Sequence, residues 1–344
     1  MEKQMKRRRL ITAGVGIAAL GVLPGEGLVV RSAMAADTKV RITTGLRATT
    51  HCMSWLGAEA GIFKKQGMDV SFPAIEMGGP DAAAGLMRGD WEFCHTGTLP
   101  VAENFLNGGD VVALLRNTAP HAGIFLMTRR ELATLGHLAG KRVGVLTDAY
   151  SGQVGVTTRL MLEKAGVTAT YVGLGTFEKI YAALAAGEID AGALPIHLRF
   201  TGERQHGWNT FERVVSGFDI PSVFATTRKL IASNRDLVMR VVRGYVETIH
   251  AFKTQPDVVV PLLQRFLNIS DRKAAEDLHK FYVPLFPQAP RLSLSGIQGV
   301  RDVFSKKYPA AQKLQESDIS DSSFIDELEQ SGFIQRLYAG DPKR

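Results

Sequence analysis

Short apolar segments alternate with amphipathic segments along the first half of the chain. A helix is predicted where Met53, Leu56 and Phe63 recur at helical spacing, and Gly67 is placed to end it. A second helix follows Gly78-Gly79-Pro80. Strands are predicted on either side of these helices, at residues 40–44, 69–74 and 91–94. This β-α-β-α-β order is typical of a mostly parallel sheet covered by helices.

A similar order returns about one hundred residues further on, with strands predicted at residues 141–146 and 169–174 and a helix that stops at Gly187, before Glu188-Ile189-Asp190-Ala191-Gly192. Equivalent landmarks are separated by 101 residues (Arg41 to Arg142), 99 residues (Gly67 to Gly166) and 98 residues (Gly89 to Gly187). Because the separation is nearly constant, the sequence predicts two similar α/β lobes.

Two further segments, residues 124–130 and 223–229, are short apolar strands that end in Thr-Arg and bracket the second unit. We expect one to carry the chain into the second lobe and the other to carry it back, as a two-strand hinge. The alternative is a pair of unrelated edge strands. The predicted fold class is α/β, with two lobes and a ligand cleft between them. Lobe one is predicted to comprise residues 36–123 and the mainly helical residues 228–344, and lobe two residues 124–227, including both hinge strands.

The first 35 residues have the pattern of an export signal. The basic run Lys6-Arg7-Arg8-Arg9 precedes a short apolar stretch at residues 13–23, and Ala33-Met34-Ala35 follows as a cleavage site. The arginines before Leu10-Ile11 indicate the twin-arginine route, with an ordinary Sec signal as the alternative. We therefore expect a periplasmic protein that is cleaved near Ala35.

Charge and cysteine content narrow the class of protein. The chain carries a formal charge of +7, but about four of those charges belong to the first 35 residues. No basic stripe remains in the rest, so a nucleic-acid partner is not expected. The two cysteines, Cys52 and Cys94, are either a disulfide of an exported protein or buried apolar residues. No closely spaced metal-ligating set occurs, and neither a metal nor a cofactor is predicted.

Several motifs together resemble the periplasmic solute-binding proteins for nitrate, sulfonates and thiamine precursors, the NMT1/THI5-like family. They are residues 58–70 (AEAGIFKKQGMDV), Gly78-Gly79-Pro80, residues 138–145 (LAGKRVGV), residues 184–191 (LAAGEIDA) and residues 324–328 (FIDEL). The resemblance implies a type II periplasmic-binding-protein fold that closes on its ligand and delivers it to the permease of an ABC importer. It also leaves open an enzyme on the same fold, of the thiamine-precursor or aromatic decarboxylase type.

The candidate site follows from the strand ends, because ligands of open α/β sheets bind beyond the carboxyl ends of the strands, at helix N-termini. The predicted ligand-binding residues are Arg47, Thr49, Thr50, His51, Gly78, Gly79, Thr96, Thr98 and Asn117 from the first lobe, with Asp148, Tyr150, Ser151, Gly175, Thr176 and His197 from the second. Hydroxyl groups and glycine N–H groups predominate, which suits a small polar or anionic ligand. For each Ser or Thr, helix capping is the alternative role.

The sequence thus favours a monomeric substrate-binding protein for a small organic anion over an enzyme. No catalytic residues are predicted. We expect three specific roles in the cleft: Tyr150 forms an aromatic wall, Arg47 contacts the anion, and His51 lies in the cleft. Asp148 has two open roles, which are helix capping and recognition of a cationic or hydroxyl group.

Overall fold

The computed structural model describes residues 37–119, 123–150, 152–215, 218–293 and 295–340. The described residues form ten strands, fifteen α-helices and three short 3-10 helices. The strands are β1 (Thr38–Thr43), β2 (Met68–Ser71), β3 (Phe93–Gly97), β4 (Val111–Arg116), β5 (Ile124–Thr128), β6 (Arg142–Val145), β7 (Thr170–Gly173), β8 (Ala191–Pro195), β9 (Asn209–Glu212) and β10 (Ser222–Thr227).

The helices connect and cover these strands. In chain order they are α1 (Met53–Glu59), α2 (Ile62–Lys65), α3 (Gly79–Arg88), α4 (Thr98–Leu106), α5 (Gln153–Lys164), α6 (Phe177–Ala185), α7 (Ile196–His206), α8 (Arg228–Ser233), α9 (Arg235–Thr254), α10 (Pro256–Leu267), α11 (Arg272–Tyr282), α12 (Ile297–Phe304), α13 (Glu316–Ile319), α14 (Ser323–Gln330) and α15 (Phe333–Tyr338).

The strands form two five-stranded mixed sheets of the same design. The first has the order β2-β1-β3-β10-β4, and the second has the order β7-β6-β8-β5-β9. In each sheet four strands run in the same direction, and the fourth position is taken by one antiparallel strand, β10 in the first sheet and β5 in the second. The internal repeat seen in the sequence therefore corresponds to two equivalent sheets, and the predicted two-lobed α/β architecture is confirmed.

The two Thr-Arg segments of the predicted hinge become β5 and β10, and each is hydrogen-bonded into a different sheet. β5 lies between β8 and β9, whereas β10 lies between β3 and β4. The chain therefore passes between the sheets twice, once between β4 and β5 and once between β9 and β10. Residues 222–227, grouped with the second lobe as a returning hinge strand, pair antiparallel with β3 and β4 of the first sheet. The edge strand β9 was not predicted.

The helical C-terminal part packs chiefly on the first sheet. The apolar face of α9 is completely buried at Val238, Val242, Tyr245, Ile249 and Phe252, and it packs against α1. The side chain of Tyr245 reaches the end of β4, where its hydroxyl donates to Asn117 Oδ1 at 3.1 Å. One helix of this part, α11, also contacts α7 of the second lobe. Burial of this long apolar stripe accounts for the helical spacing of apolar residues in this segment.

Both cysteines lie in the first lobe. Cys52 precedes α1 and Cys94 lies in β3; each is fully buried and each thiol is free. The structure therefore agrees with the buried apolar role and not with the disulfide. Among the residues that the structure describes, no helix is both long enough and apolar enough to cross a membrane.

Candidate functional site

A cavity of about 60 Å³ lies between the two sheets, at the carboxyl ends of their parallel strands. Its walls come from both lobes and from the two segments that connect them. The described lining residues are Leu46, Thr50, His51, Gly78, Gly79, Pro80, Gly97, Pro100, Thr118, Ala119, Ile124, Leu146, Thr147, Gly152, Gln153, Val154, Gly155, Arg213, Ile220 and Ser222.

Three helices begin at this cavity. The N-terminal flanking residues of α3, α4 and α5 are Gly78, Gly97 and Gly152, and glycine has no side chain with which to cap the first N–H groups of a helix. The free N–H groups and the positive ends of three helix dipoles therefore meet around one small space. Such a convergence favours a bound anion.

Arg213 adds a formal positive charge to the same space. It follows the edge strand β9, and its side chain is buried, with 6% exposure. Its Nη1 donates to the carbonyl oxygen of Val154 in the first turn of α5, at 2.7 Å. No carboxylate among the described residues forms an ion pair with it, and Nε has no partner there. Burial without a counter-charge lowers the pKa of Arg213 to about 10.

His51 lies on the first-lobe side of the cavity, and its tautomer is set by the backbone. Its Nδ1 lies 2.6 Å from the carbonyl oxygen of Thr44. A carbonyl oxygen only accepts hydrogen bonds, so Nδ1 carries the proton and Nε2 is an acceptor. Nε2 has no hydrogen-bond partner among the described residues. Burial lowers the pKa of His51 to about 4, so the ring is neutral at neutral pH.

Gln153 and Gly97 bring the two lobes together at the cavity. The Nε2 of Gln153 donates to the carbonyl oxygen of Ile220 at 3.2 Å, so its Oε1 is left as an acceptor. A methyl group on Gly97 would lie 2.6 Å from that Oε1 and 2.9 Å from Gln153 Cβ. Only a residue without a side chain fits opposite Gln153 at this separation of the lobes.

Four of the sequence-predicted site residues line the cavity. Thr50 and His51 follow β1, and Gly78 and Gly79 lead into α3. All four come from the first lobe. For these residues the order of strands and loops alone predicted a position at the cavity.

Four other predicted residues are buried in the first lobe behind these. Thr96 donates to the carbonyl oxygen of Gly79 at 2.8 Å, and Thr98 donates to the carbonyl oxygen of Pro221 at 2.7 Å. Asn117 accepts from Tyr245 as described above, and Thr49 is buried with 1% exposure. The hydroxyls of Thr96 and Thr98 thus hold the first turn of α3 and the segment before β10 in place.

Three predicted residues lie instead in a separate crevice of about 10 Å³. Arg47 is paired with Glu76 at 2.9 Å and donates to the carbonyl oxygen of Phe266 at 2.7 Å. Gly175 and Thr176 line the same crevice, and the hydroxyl of Thr176 accepts from the Lys179 N–H as the cap of α6. The predicted anion contact at Arg47 is therefore already used by a carboxylate of the protein.

The remaining predictions for the second lobe do not meet at the cavity. Asp148 accepts from the N–H of Tyr150 at 2.5 Å, and both line an outer groove of about 800 Å³. Tyr150 is 70% exposed, with Arg159 over its ring at 5.0 Å, so it forms no wall of the cavity. His197 is buried in α7. Ser151 lies outside the described residues.

The second lobe and the connecting segments contribute five polar lining residues that were not predicted from the sequence: Thr118, Thr147, Gln153, Arg213 and Ser222. Thr147 and Gln153 border the same loop as Asp148 and Tyr150, so their place after a predicted strand was a usable signal. Arg213 had no comparable signal, since it follows a strand that the apolar pattern did not reveal.

Two equivalent sheets with a cavity at their facing strand ends define the periplasmic-binding-protein fold, in agreement with the solved structures that this chain resembles. The chain belongs to the NMT1/THI5-like family, whose model matches residues 48–258. This confirms the family and the fold expected from the sequence motifs. No curated protein sequence matches the chain.

Three of the similar solved structures are informative. The alkanesulfonate-binding protein SsuA from Xanthomonas axonopodis pv. citri, bound to MOPS, is 16% identical with a TM-score of 0.65, over 82% of this chain and 96% of that one. The periplasmic aliphatic sulphonate binding protein SsuA from Escherichia coli is 14% identical with a TM-score of 0.61, over 83% and 92%. A mutant of DSZB in complex with biphenyl-2-sulfinic acid is 15% identical with a TM-score of 0.58, over 86% and 100%.

Proposed function

We propose that this protein is the periplasmic substrate-binding component of an ABC importer, and that it captures a small organic anion of the sulfonate or carboxylate class as a monomer. The anion is held in the cavity between the lobes and released to the membrane permease. The export pattern in the first 35 residues, which lie outside the described residues, supports the periplasmic location.

The buried, unpaired guanidinium of Arg213 is the observation that carries the proposal. A buried cation without a counter-charge is costly to the folded protein, and an anion from outside would remove that cost. Around the cavity Arg213 is the one formal cation of the described lining residues, and none of them is acidic. The N-terminus of α5, to which Arg213 is hydrogen-bonded, adds N–H donors beside the guanidinium.

The cavity is enclosed by residues of both lobes, which suits a small anion of the sulfonate or carboxylate class. The family membership and the sulfonate-binding proteins among the similar structures support the same class.

A thermal-shift screen of the purified protein tests the proposal. The panel comprises nitrate, short alkyl and aryl sulfonates, taurine, short carboxylates, pyrimidines and aromatic carboxylates. A ligand at one hundred times its dissociation constant stabilises the native state by about 2.7 kcal/mol. We expect the hits to be small anions that remain unchanged on prolonged incubation. Stabilisation by neutral or cationic compounds alone would contradict the anion site.

The enzyme alternative receives less support from the same site. Burial raises the pKa of the Cys52 thiol, so this thiol is not poised as a nucleophile. The neutral ring of His51 is hydrogen-bonded to a backbone carbonyl and not to a carboxylate that would activate it. If a bound compound were chemically converted during the screen, an enzymatic function would be favoured over a binding-protein function.

Replacing Gly97 with alanine is expected to weaken ligand binding by about tenfold to 100-fold, because the methyl group would overlap Gln153 across the cavity and oppose closure of the lobes. The backbone of Gly97 is extended, with φ −95° and ψ 160°, so alanine brings no local strain. Titration calorimetry with the best ligand of the screen measures the change.

Gly136→Ala is the matched control, because a methyl group there has no neighbour closer than 3.8 Å. We expect that variant to bind as the wild type does. The unfolding free energy of the ligand-free Gly97→Ala protein should also stay close to that of the wild type, since an open form relieves the overlap. Unchanged affinity in Gly97→Ala would mean that ligand binding does not require this separation of the lobes.

A further inference from the structure

We propose that the ligand of this cavity carries a hydrogen-bond donor, a hydroxyl or N–H group, in addition to its anionic group, and that Nε2 of His51 accepts from that donor. The inference rests on the proposed function, since it describes a second feature of the same captured anion. It concerns which small anions the protein selects.

The geometry of His51 makes its Nε2 a hydrogen-bond acceptor. The Thr44 carbonyl oxygen at 2.6 Å fixes the proton on Nδ1, so Nε2 presents a lone pair. The residue is buried, with 1% exposure, and lines the cavity, yet Nε2 has no partner among the described residues. A buried acceptor without a donor costs free energy that a suitable ligand recovers on binding.

Gln153 on the opposite lobe provides an independent observation of the same kind. Its amide orientation is fixed, because the carbonyl oxygen of Ile220 requires the N–H₂ end. Its Oε1 is buried and has no partner among the residues described around it. The cavity thus combines one cation with an acceptor from each lobe, a set that an anion with acceptor atoms only does not satisfy.

The electrostatic state of His51 supports an acceptor role at neutral pH. The ring is neutral there, because burial lowers its pKa to about 4. It also stacks on the ring of His95, with centroids 5.4 Å apart, and burial and the neighbouring His51 hold the pKa of His95 well below its ordinary value. Two stacked neutral imidazoles leave the lone pair of His51 Nε2 available to the ligand.

Matched ligand pairs test the inference, with calorimetric titration of the purified protein at pH 7. The pairs are glycolate against propionate and 2-hydroxyethanesulfonate against 1-propanesulfonate, in which a methyl group replaces a hydroxyl of similar size. We expect the hydroxylated member to bind at least tenfold more tightly in each pair that binds, because the methyl group leaves the acceptor unpaired. Equal affinities within a pair would overturn the inference and leave the anion proposal intact. Failure of all four anions, with binding of neutral compounds instead, would overturn both.

The variant His51→Asn tests whether the preference for the hydroxylated ligand depends on His51. An asparagine amide can keep the hydrogen bond to the Thr44 carbonyl, but it has no atom at the position of Nε2. We expect this variant to bind both members of a pair with similar affinity. His197→Asn, a buried histidine outside the cavity lining, is the control and should keep the wild-type preference. Retention of the preference in His51→Asn would overturn the role of Nε2, and the wild-type comparison alone remains decisive if that variant does not fold.

Discussion

Replacing Arg213 with glutamine is expected to lower the affinity for the captured anion by roughly 100-fold or more, while the ligand-free protein becomes at least as stable as the wild type. The loss follows because the guanidinium and the first turn of α5 form one anion-binding group, joined by the hydrogen bond to Val154. Titration calorimetry and urea unfolding measure the two effects.

The gain in stability has a separate cause. Burial lowers the pKa of Arg213 from 12.5 to about 10, which reflects the cost of holding this cation away from water without a counter-charge. Glutamine removes that cost, and we expect a gain of about 1–3 kcal/mol in the ligand-free protein. Arg213→Lys keeps the charge but not the planar fork, so its affinity should be intermediate.

Arg116→Gln is the matched control for this substitution. Arg116 ends β4, is partly buried, and also has a pKa lowered by burial, but it is not part of the described cavity lining. We expect it to leave anion affinity unchanged. An Arg213→Gln protein that is less stable and still binds the anion normally would show that Arg213 serves the fold and not the ligand.

Acidification from pH 7 to pH 4 is expected to destabilise the protein by several kcal/mol, because buried histidines stay neutral in the folded state. The pKa of His51 and that of His197 are each lowered by burial to about 4, against an ordinary value of 6.5. Between pH 6.5 and pH 4 the unfolded chain binds protons that the folded protein does not. Each histidine therefore contributes stability that is complete above pH 6.5 and falls by about 3 kcal/mol as the pH approaches 4.

Urea unfolding at pH 7, 6, 5 and 4 measures this dependence. Two partly buried carboxyl groups, Glu76 and Glu247, offset part of it, because burial raises their pKa values above 4.5 and their contribution grows as the pH falls. His197→Asn should flatten the curve without changing ligand affinity, since this histidine lies outside the described cavity lining. A constant unfolding free energy between pH 6.5 and pH 4 would contradict the neutral buried histidines.

The two-lobed fold was predictable because its signals are local. Glycines that end helices, such as Gly89 with φ +76°, recur at nearly constant spacing, and the apolar period changes between strand and helix. The place of β10 in the first sheet was not predictable in this way. Its place depends on pairing with strands that lie more than one hundred residues earlier in the chain. The residues of β10 themselves do not indicate which strands they will pair with.

The candidate site also contains residues that the sequence could predict and residues that it could not. Thr50 and Gly79 were found because they follow strands of clear pattern, and the strand-end argument needs only that order. In the second lobe the loop after β6 divides, with Thr147 lining the cavity and Asp148 turned to the N–H of Tyr150. Arg213 follows β9, whose residues are only partly buried and therefore lack the apolar signature of a strand.

The two free thiols can serve as built-in probes of structural opening, because both lie in the first lobe and no label has to be engineered into the protein. Cys52 and Cys94 are the only cysteines of the chain, and both are fully buried in the first lobe. A maleimide reagent reaches such thiols only when the surrounding structure opens. The rate of modification of the native protein therefore reports opening of the structure around these two thiols, and a bound ligand is expected to slow it.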